Sequence, residues 1–271
     1  MAVIKAGAFD LDVQDVGTGP AVVLLHSSAS GNRQWRRLVD ELKDRYRLLA
    51  VNLFGYGVTS PWPAARAMTL ADGAELAIAA AGYAGGPVAL VGHSFGAAIA
   101  LETALRLKER AAALIMFEPI PFYLLKVHGP QAAADEIVGV ADGFRRHAAA
   151  GDWMAGAALF IDYWSGAGTW AANPEERRGG IVTMVRNVIH EFDAVIDPWR
   201  ALPEWGAIAA PTHILRAADT RAPTHALAAL LTSAYPQWRL HEVATGGHMA
   251  PVARPDLVNP VIADVLAKVL R

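Results

Sequence analysis

Residues 92–96 read Gly-His-Ser-Phe-Gly, which places a glycine two positions to either side of Ser94. An apolar run at 88–91 predicts a strand before them, and the helix formers at 97–105 predict a helix after them. A serine on such a sharp turn has a strained backbone, so its hydroxyl projects above the edge of a sheet. The glycines leave room for the bend, and the helix N-terminus offers N–H groups to a forming anion. We predict that Ser94 is a nucleophile; the alternative is a glycine-rich turn with no chemistry.

A serine hydroxyl is a poor nucleophile and needs a base, for which His248 is the candidate. His248 lies in the run Thr-Gly-Gly-His-Met at 245–249, between the last predicted strand and the last predicted helix. In a parallel sheet that loop returns to the edge that carries the serine turn. His93 directly precedes Ser94 and is expected to point away from it.

The carboxylate that would orient His248 is open between Asp219 and Glu118. Asp219 follows a predicted strand at 213–216 and gives the chain order Ser–Asp–His. Glu118 follows a predicted strand at 114–117, directly beyond the nucleophile strand, and could approach His248 from the other side. Without this role, Asp219 would be a turn or helix-cap residue, and Glu118 a carboxylate of a pocket wall or hinge.

A tetrahedral intermediate at Ser94 needs two N–H donors that point at its oxyanion. The first is expected to be the backbone N–H of Phe95, the residue after the nucleophile. The second is expected from the small-residue loop after the strand at 21–25, at Ser27 or Ser28. An ordinary turn of Ser, Ala and Gly is the alternative for that loop.

Apolar runs alternate with helical patterns along most of the chain. Runs that are apolar throughout, each followed by a helix, indicate an α/β fold whose mostly parallel sheet has helices on both faces. The predicted strands lie at 21–25, 48–52, 88–91, 114–117, 213–216 and 239–243. The alternation breaks in an aromatic-rich stretch, so we predict a core at 1–119 and 206–271 and a helical cap at 120–205. The cap would stand above the carboxyl ends of the strands, where its aromatics line a ligand pocket or form a core of their own.

Composition limits the other function classes. The 54% hydrophobic share allows a large core, and a net charge of −2 without a Lys/Arg run argues against nucleic acid or an anionic membrane as partner. The chain has no cysteine, which excludes disulfides, thiolate catalysis and Cys-ligated metals. No signal peptide and no bilayer-length apolar stretch is present in the sequence, so a cytoplasmic protein is expected. A homodimer is left open.

Four segments resemble the α/β-hydrolase superfamily: the strand ending in His26 with its loop, the turn at 52–57, the serine motif at 92–96 and the Gly-Gly-His at 246–248. The resemblance implies an eight-stranded, mostly parallel sheet, no cofactor, no metal, and hydrolysis through an acyl-enzyme. Ser27 stands where the family usually has glycine, and Asn52 replaces its usual Asp. The segment before Asp219 lacks a glycine and is one residue short. The segment around Glu118 resembles family branches, such as haloalkane dehalogenases, whose acid follows this earlier strand.

These observations predict a serine hydrolase that acts on a small-molecule substrate, a small or medium apolar ester. Four alternatives use the same scaffold: a carbon–carbon bond hydrolase, a lactonase, a haloperoxidase-like enzyme, and a non-catalytic ligand receptor.

Overall fold

A single mixed β-sheet organises the chain; the structure, a computed structural model, describes residues 2–270. Numbered along the chain, its described strands are β1 (Ala2–Ala6), β2 (Phe9–Val16), β3 (Ala21–Leu25), β4 (Arg47–Val51), β5 (Val88–His93), β6 (Ala111–Phe117), β7 (Thr212–Ala217) and β8 (Arg239–Val243). They lie side by side in the order β1-β2-β4-β3-β5-β6-β7-β8. Strands β3 to β8 pair in parallel, whereas β1 with β2 and β2 with β4 pair antiparallel. The predicted α/β class with a mostly parallel, eight-stranded sheet is confirmed.

The helices connect the strands or fill the long interval between β6 and β7. The α-helices are α1 (Arg36–Leu42), α2 (Leu70–Ala84), α3 (Phe95–Leu107), α4 (Leu125–His128), α5 (Gln131–Ala149), α6 (Trp153–Ser165), α7 (Thr169–Ala172), α8 (Glu175–Val185), α9 (Val188–Ile196), α10 (Ala222–Ala234), α11 (Ala250–Ala253) and α12 (Pro255–Val269). Short 3-10 helices cover Asn32–Trp35, Lys108–Arg110, Phe122–Leu124, Leu202–Ala207 and Gly247–Met249. Within residues 2–270, no helix combines the length and apolar character that crossing a bilayer requires.

Alternate side chains of the central strands enter two separate cores, one on each face of the sheet. Along β3, Val23 and Leu25 face the core that contains α2, α3 and α10, while Val22 and Leu24 face α1 and α12. Successive residues of a strand point to opposite faces, so a strand buried on both faces must be apolar at every position. Each fully buried Val or Leu contributes about 1.5–3 kcal/mol of hydrophobic free energy. The sequence of β3 thus accounts for its central place in the sheet.

The interval between β6 and β7 is helical in the described chain. Helices α4 to α9 succeed one another there, and Phe144, Phe160 and Phe192 pack together at ring-centroid distances of 5.6–6.2 Å. This aromatic cluster gives the helices a core that continues into the one above the sheet. That this segment forms a cap at 120–205 above the carboxyl ends of the strands stays a prediction.

Candidate active site

Ser94 occupies the sharp turn between β5 and α3. Its φ of 57° and ψ of −117° are strained for a residue with a side chain, as expected at this turn. A Cβ on Gly92 would lie 2.5 Å from Cα of Ala97, and one on Gly96 would overlap the carbonyl oxygen of Leu25. Both flanking positions therefore require glycine, and the strain at Ser94 is fixed by backbone packing on either side.

His248 lies between a hydroxyl and a carboxylate. Its Nε2 is 2.8 Å from Ser94 Oγ, and its Nδ1 is 2.6 Å from Glu118 Oε2. A carboxylate can only accept, so Nδ1 carries the proton that is donated to Glu118, and Nε2 accepts from the Ser94 hydroxyl. The side chains of His248 and Glu118 are 2% and 0% exposed. The hydrogen bond between His248 and Glu118 is thus shielded from solvent, which strengthens it.

Glu118 is held by the next strand of the sheet. Its φ of 46° turns the chain directly after β6, and its N–H donates to the Leu215 carbonyl at 2.9 Å. The carboxylate accepts from the Ala217 N–H at 3.0 Å and from Thr220 Oγ1 at 2.7 Å. Together with His248, three donors therefore hold both carboxylate oxygens of Glu118 in place. The carboxylate in turn orients the imidazole of His248.

Asp219, the other candidate acid, has a different place. Its carboxylate accepts from Thr245 Oγ1 at 2.7 Å and from the N–H groups of Gly246 and Gly247 at 3.1 and 2.8 Å. The hydrogen bond from Thr245 lowers the pKa of Asp219. No hydrogen bond joins Asp219 to His248 among the described residues. At the end of β7 and in the turn after it, the Ala217 N–H and the Thr220 hydroxyl donate to Glu118 instead. The hydrogen bonds of Asp219 stabilise the loop that carries His248.

The loop after β3 brings Ser27 and Ser28 to the same cavity as Ser94. The N–H of Ser27 donates to Gln34 Oε1 at 3.1 Å, and its hydroxyl donates to the same oxygen at 2.8 Å. Ser27 is therefore committed to the loop itself. In the described chain, no backbone acceptor is found for the N–H groups of Ser28 and Phe95. Their role as oxyanion donors stays a prediction.

Two histidines that the sequence analysis did not assign to the site hold its backbone. His26 donates from Nδ1 to the Ser27 carbonyl at 2.7 Å and accepts at Nε2 from the Leu53 N–H at 3.0 Å. Burial lowers the pKa of His26 to about 4, so it is neutral at pH 7. His93 points away from Ser94, as expected, and donates from Nε2 to the His248 carbonyl at 2.8 Å. Burial, reinforced by the neighbouring His248, keeps the pKa of His93 well below its usual range. His26 directly follows β3 and His93 is the last residue of β5, so both lie where a strand meets a loop of the site. That position is the sequence signal that could have identified them.

A cavity of about 50 Å³ opens in front of Ser94. Its wall is mainly apolar and comes from α6 and α9, with Phe160, Trp164, Val188, Phe192 and Val195 among its members. The Trp164 ring lies 4.2 Å from the His248 ring, centroid to centroid. Glu191 is the one carboxylate on this wall among the described residues, and no Lys or Arg is on it. Residues 2–270 hold no cluster of three or more His, Asp or Glu side chains suited to a metal ion.

Comparison with known proteins assigns the chain to a family. A family model described as "Alpha/beta hydrolase family" matches residues 22–261. The protein is an α/β hydrolase. Lipase LipV of Mycobacterium tuberculosis is 38% identical over 112 residues, which are 41% of this chain and 42% of LipV. The 2-hydroxy-6-oxo-2,4-heptadienoate hydrolase of Pseudomonas putida is 32% identical over 126 residues, 42% of either chain. The matched region thus spans less than half the length of these two relatives.

Solved structures agree with the fold of this α/β hydrolase. A thermophilic esterase from Thermogutta terrifontis superposes with a TM-score of 0.75 at 23% identity, over 97% of this chain and 95% of the esterase. At that identity the likeness concerns the fold.

Proposed function

We propose that this α/β hydrolase is a serine esterase that cleaves esters of short, mainly apolar acyl groups through an acyl-enzyme on Ser94. The observation that supports this most is the unbroken hydrogen-bond path from Ser94 through His248 to Glu118 at the floor of the cavity. A nucleophile, a base within hydrogen-bond reach and a carboxylate that orients the base are the parts that acyl transfer needs.

The proposed reaction begins when His248 takes the hydroxyl proton and Ser94 Oγ attacks the ester carbonyl. The N–H groups of Phe95 and Ser28 stabilise the oxyanion, since the Ser27 N–H is engaged with Gln34. His248 then protonates the leaving alcohol, and a water that it activates hydrolyses the acyl-enzyme. The Glu118 carboxylate accepts from Nδ1 throughout and stabilises the imidazolium. In this proposal Glu118 is the triad acid and Asp219 is a positioning residue for the histidine loop.

The size of the cavity sets the expected acyl length. A single water needs about 10–15 Å³ of such space, so about 50 Å³ holds a group of a few heavy atoms. We therefore expect acetyl, propionyl and butyryl esters to be preferred to longer ones.

The charges on the cavity wall bear on the alternatives. A dienoate, the substrate type in the name of the P. putida relative, carries a carboxylate, and a site for it would offer a cation. The described wall offers Glu191 instead of Lys or Arg. This favours a neutral ester over the carbon–carbon bond hydrolase. Lactonase, haloperoxidase-like and receptor functions would use the same residues, Ser94, His248 and Glu118. Experiment distinguishes them from an esterase.

The first test combines labelling and turnover. A fluorophosphonate probe, followed by intact mass and peptide mapping, is expected to modify Ser94, and p-nitrophenyl acetate to octanoate should show falling kcat/KM beyond butyrate. Ser94→Ala should abolish both signals, whereas the exposed Ser233→Ala on α10 should change neither. A γ-lactone panel and a halide-dependent peroxidation assay cover the sister activities. Absence of an adduct on the wild type would refute the esterase proposal and favour a receptor.

A further inference from the structure

The cavity wall contains one buried carboxyl that the proposed reaction does not use. Glu191 lies on α9 and is 3% exposed. Its Oε1 accepts a hydrogen bond from the Tyr56 hydroxyl at 2.8 Å. Its Oε2 is buried and has no hydrogen-bond partner of standard geometry within residues 2–270, although the Ser28 hydroxyl is near enough to lower the pKa of the carboxyl. One oxygen of a carboxyl in the same small cavity as Ser94 is therefore left without a well-placed donor.

An unpartnered carboxyl oxygen in an apolar wall is costly for folding. Such an atom loses its hydration without compensation, so buried acids are normally paired or fully hydrogen-bonded. No salt bridge reaches Glu191 from the described residues, and burial raises its pKa to about 7 despite the opposing effects of the Ser28 and Tyr56 hydroxyls. The carboxyl is thus better explained by a ligand than by the core.

We propose that Glu191 Oε2 accepts a hydrogen bond from a hydroxyl or amino group on the acyl part of the substrate. The preferred substrates are then esters of short hydroxy or amino acids rather than simple fatty acids. Because the cavity holds only a few heavy atoms, the donor group lies within two or three bonds of the carbonyl carbon. This inference rests on the proposed esterase function and adds the substrate class to it.

Glu191 also has a structural connection that the test must separate from ligand binding. The Tyr56 hydroxyl accepts from the Ala29 N–H at 2.8 Å, and so links Glu191 to the loop of Ser27 and Ser28. Loss of the carboxyl could change the rate through this loop for every ester alike. A ratio between two substrates of equal size is insensitive to such a common effect.

Phenyl glycolate and phenyl propionate provide that ratio, because a hydroxyl in one replaces a methyl in the other. The kcat/KM ratio of glycolate to propionate is measured and divided by the ratio of their hydroxide-catalysed rates, which removes intrinsic reactivity. At pH 8, where Glu191 is mainly ionised, the corrected ratio in the wild type should be about tenfold or more in favour of glycolate, the value of one good hydrogen bond to a charged acceptor. Phenyl glycinate, tested alongside, distinguishes an amino from a hydroxyl donor.

Two variants assign the preference to the carboxyl. Glu191→Leu should bring the corrected ratio below one, because a hydroxyl would then enter an apolar wall without a partner. Tyr56→Phe removes the link to the loop but keeps Oε2, so it should retain the glycolate preference whatever its rate. Should Glu191→Leu not fold, Glu191→Gln preserves the shape and should reduce the ratio severalfold.

The outcomes separate the two proposals. A wild type that hydrolyses both esters with a corrected ratio at or below one overturns the role of Glu191 and leaves the esterase intact. A preference for glycolate that survives in Glu191→Leu would also overturn the role of Glu191 and leave the esterase proposal intact. A wild type that hydrolyses neither ester and shows no adduct on Ser94 overturns the esterase proposal itself.

Discussion

The raised pKa of Glu191 predicts how the free energy of unfolding depends on pH, and the substitution Glu191→Gln tests this prediction. Burial raises its pKa from the ordinary 4.5 to about 7 in the folded protein. Between these two values the folded state binds a proton that the unfolded state has released. The stabilisation is thus complete below about pH 4.5 and is lost as pH rises through 7. At about 1.4 kcal/mol for each pH unit between the two pKa values, the full loss amounts to about 3–4 kcal/mol.

Gln has a similar shape but does not titrate, so Glu191→Gln should lack this pH dependence. Relative to the variant, the wild-type free energy of unfolding should fall by about 3 kcal/mol between pH 4.5 and pH 8. The steepest change should lie between pH 5 and 7. Urea unfolding followed by tryptophan fluorescence at half-unit pH intervals measures the difference, and other titrating groups cancel in the comparison.

The control is Glu109→Gln, which removes an exposed carboxyl in the turn after α3. Its stability difference from wild type should stay nearly constant over the same pH range. A constant difference for Glu191→Gln as well, or one with the opposite slope, would refute the burial argument for Glu191. The proposed recognition of a substrate donor would then lose its electrostatic support.

Other substitutions test the remaining parts of the site. Glu118→Gln should lower kcat at least about hundredfold, because a neutral amide no longer orients the imidazole or stabilises its cation. Asp219→Asn should lower kcat less than about tenfold. Comparable losses in the two variants would contradict the assignment of Glu118 as the triad acid. Gly96→Ala places a methyl on a carbonyl oxygen of β3, so thermal unfolding should show a large destabilisation or no folded state. Arg200→Leu leaves Glu102 as a fully buried, unpaired charge and should cost about 3–5 kcal/mol in urea unfolding, most of it recovered when Glu102→Leu is added.

Strands β3 to β6 could be predicted from the sequence because each is almost entirely buried and reads as a mainly apolar run. The predicted strand at 48–52, for example, is shifted by one residue from β4. The predicted strand at 239–243 coincides with β8, although β8 is mostly exposed. Strands β1 and β2 were not predicted. Strand β1 lies at the edge of the sheet and β2 lies beside it; both are partly exposed, and charged residues such as Lys5, Asp10 and Asp12 interrupt their apolar pattern. Neither sequence therefore contains a continuous apolar run.

The places of Ser94 and His248 are set by local motifs, and the sequence locates both. The choice between Glu118 and Asp219 depends on tertiary structure, since both follow neighbouring strands and only the direction of the turn after β7 separates them. Glu191 had a sequence signal that was not used. It lies at helical spacing from Val188 and Val195, an acid on an apolar helix face.

The helical segment between β6 and β7 is joined to the site at both of its ends. Glu118 is the first residue after β6, and Arg200, beyond α9, is ion-paired at 2.6 Å with Glu102 of the helix that follows Ser94. Under the proposed mechanism, recombination that exchanges this segment would also exchange the backbone that sets the triad acid. In a hydrolase whose triad acid follows β7, the helical segment and the triad acid would be inherited separately. Here substrate choice and catalytic competence are expected to evolve as one module.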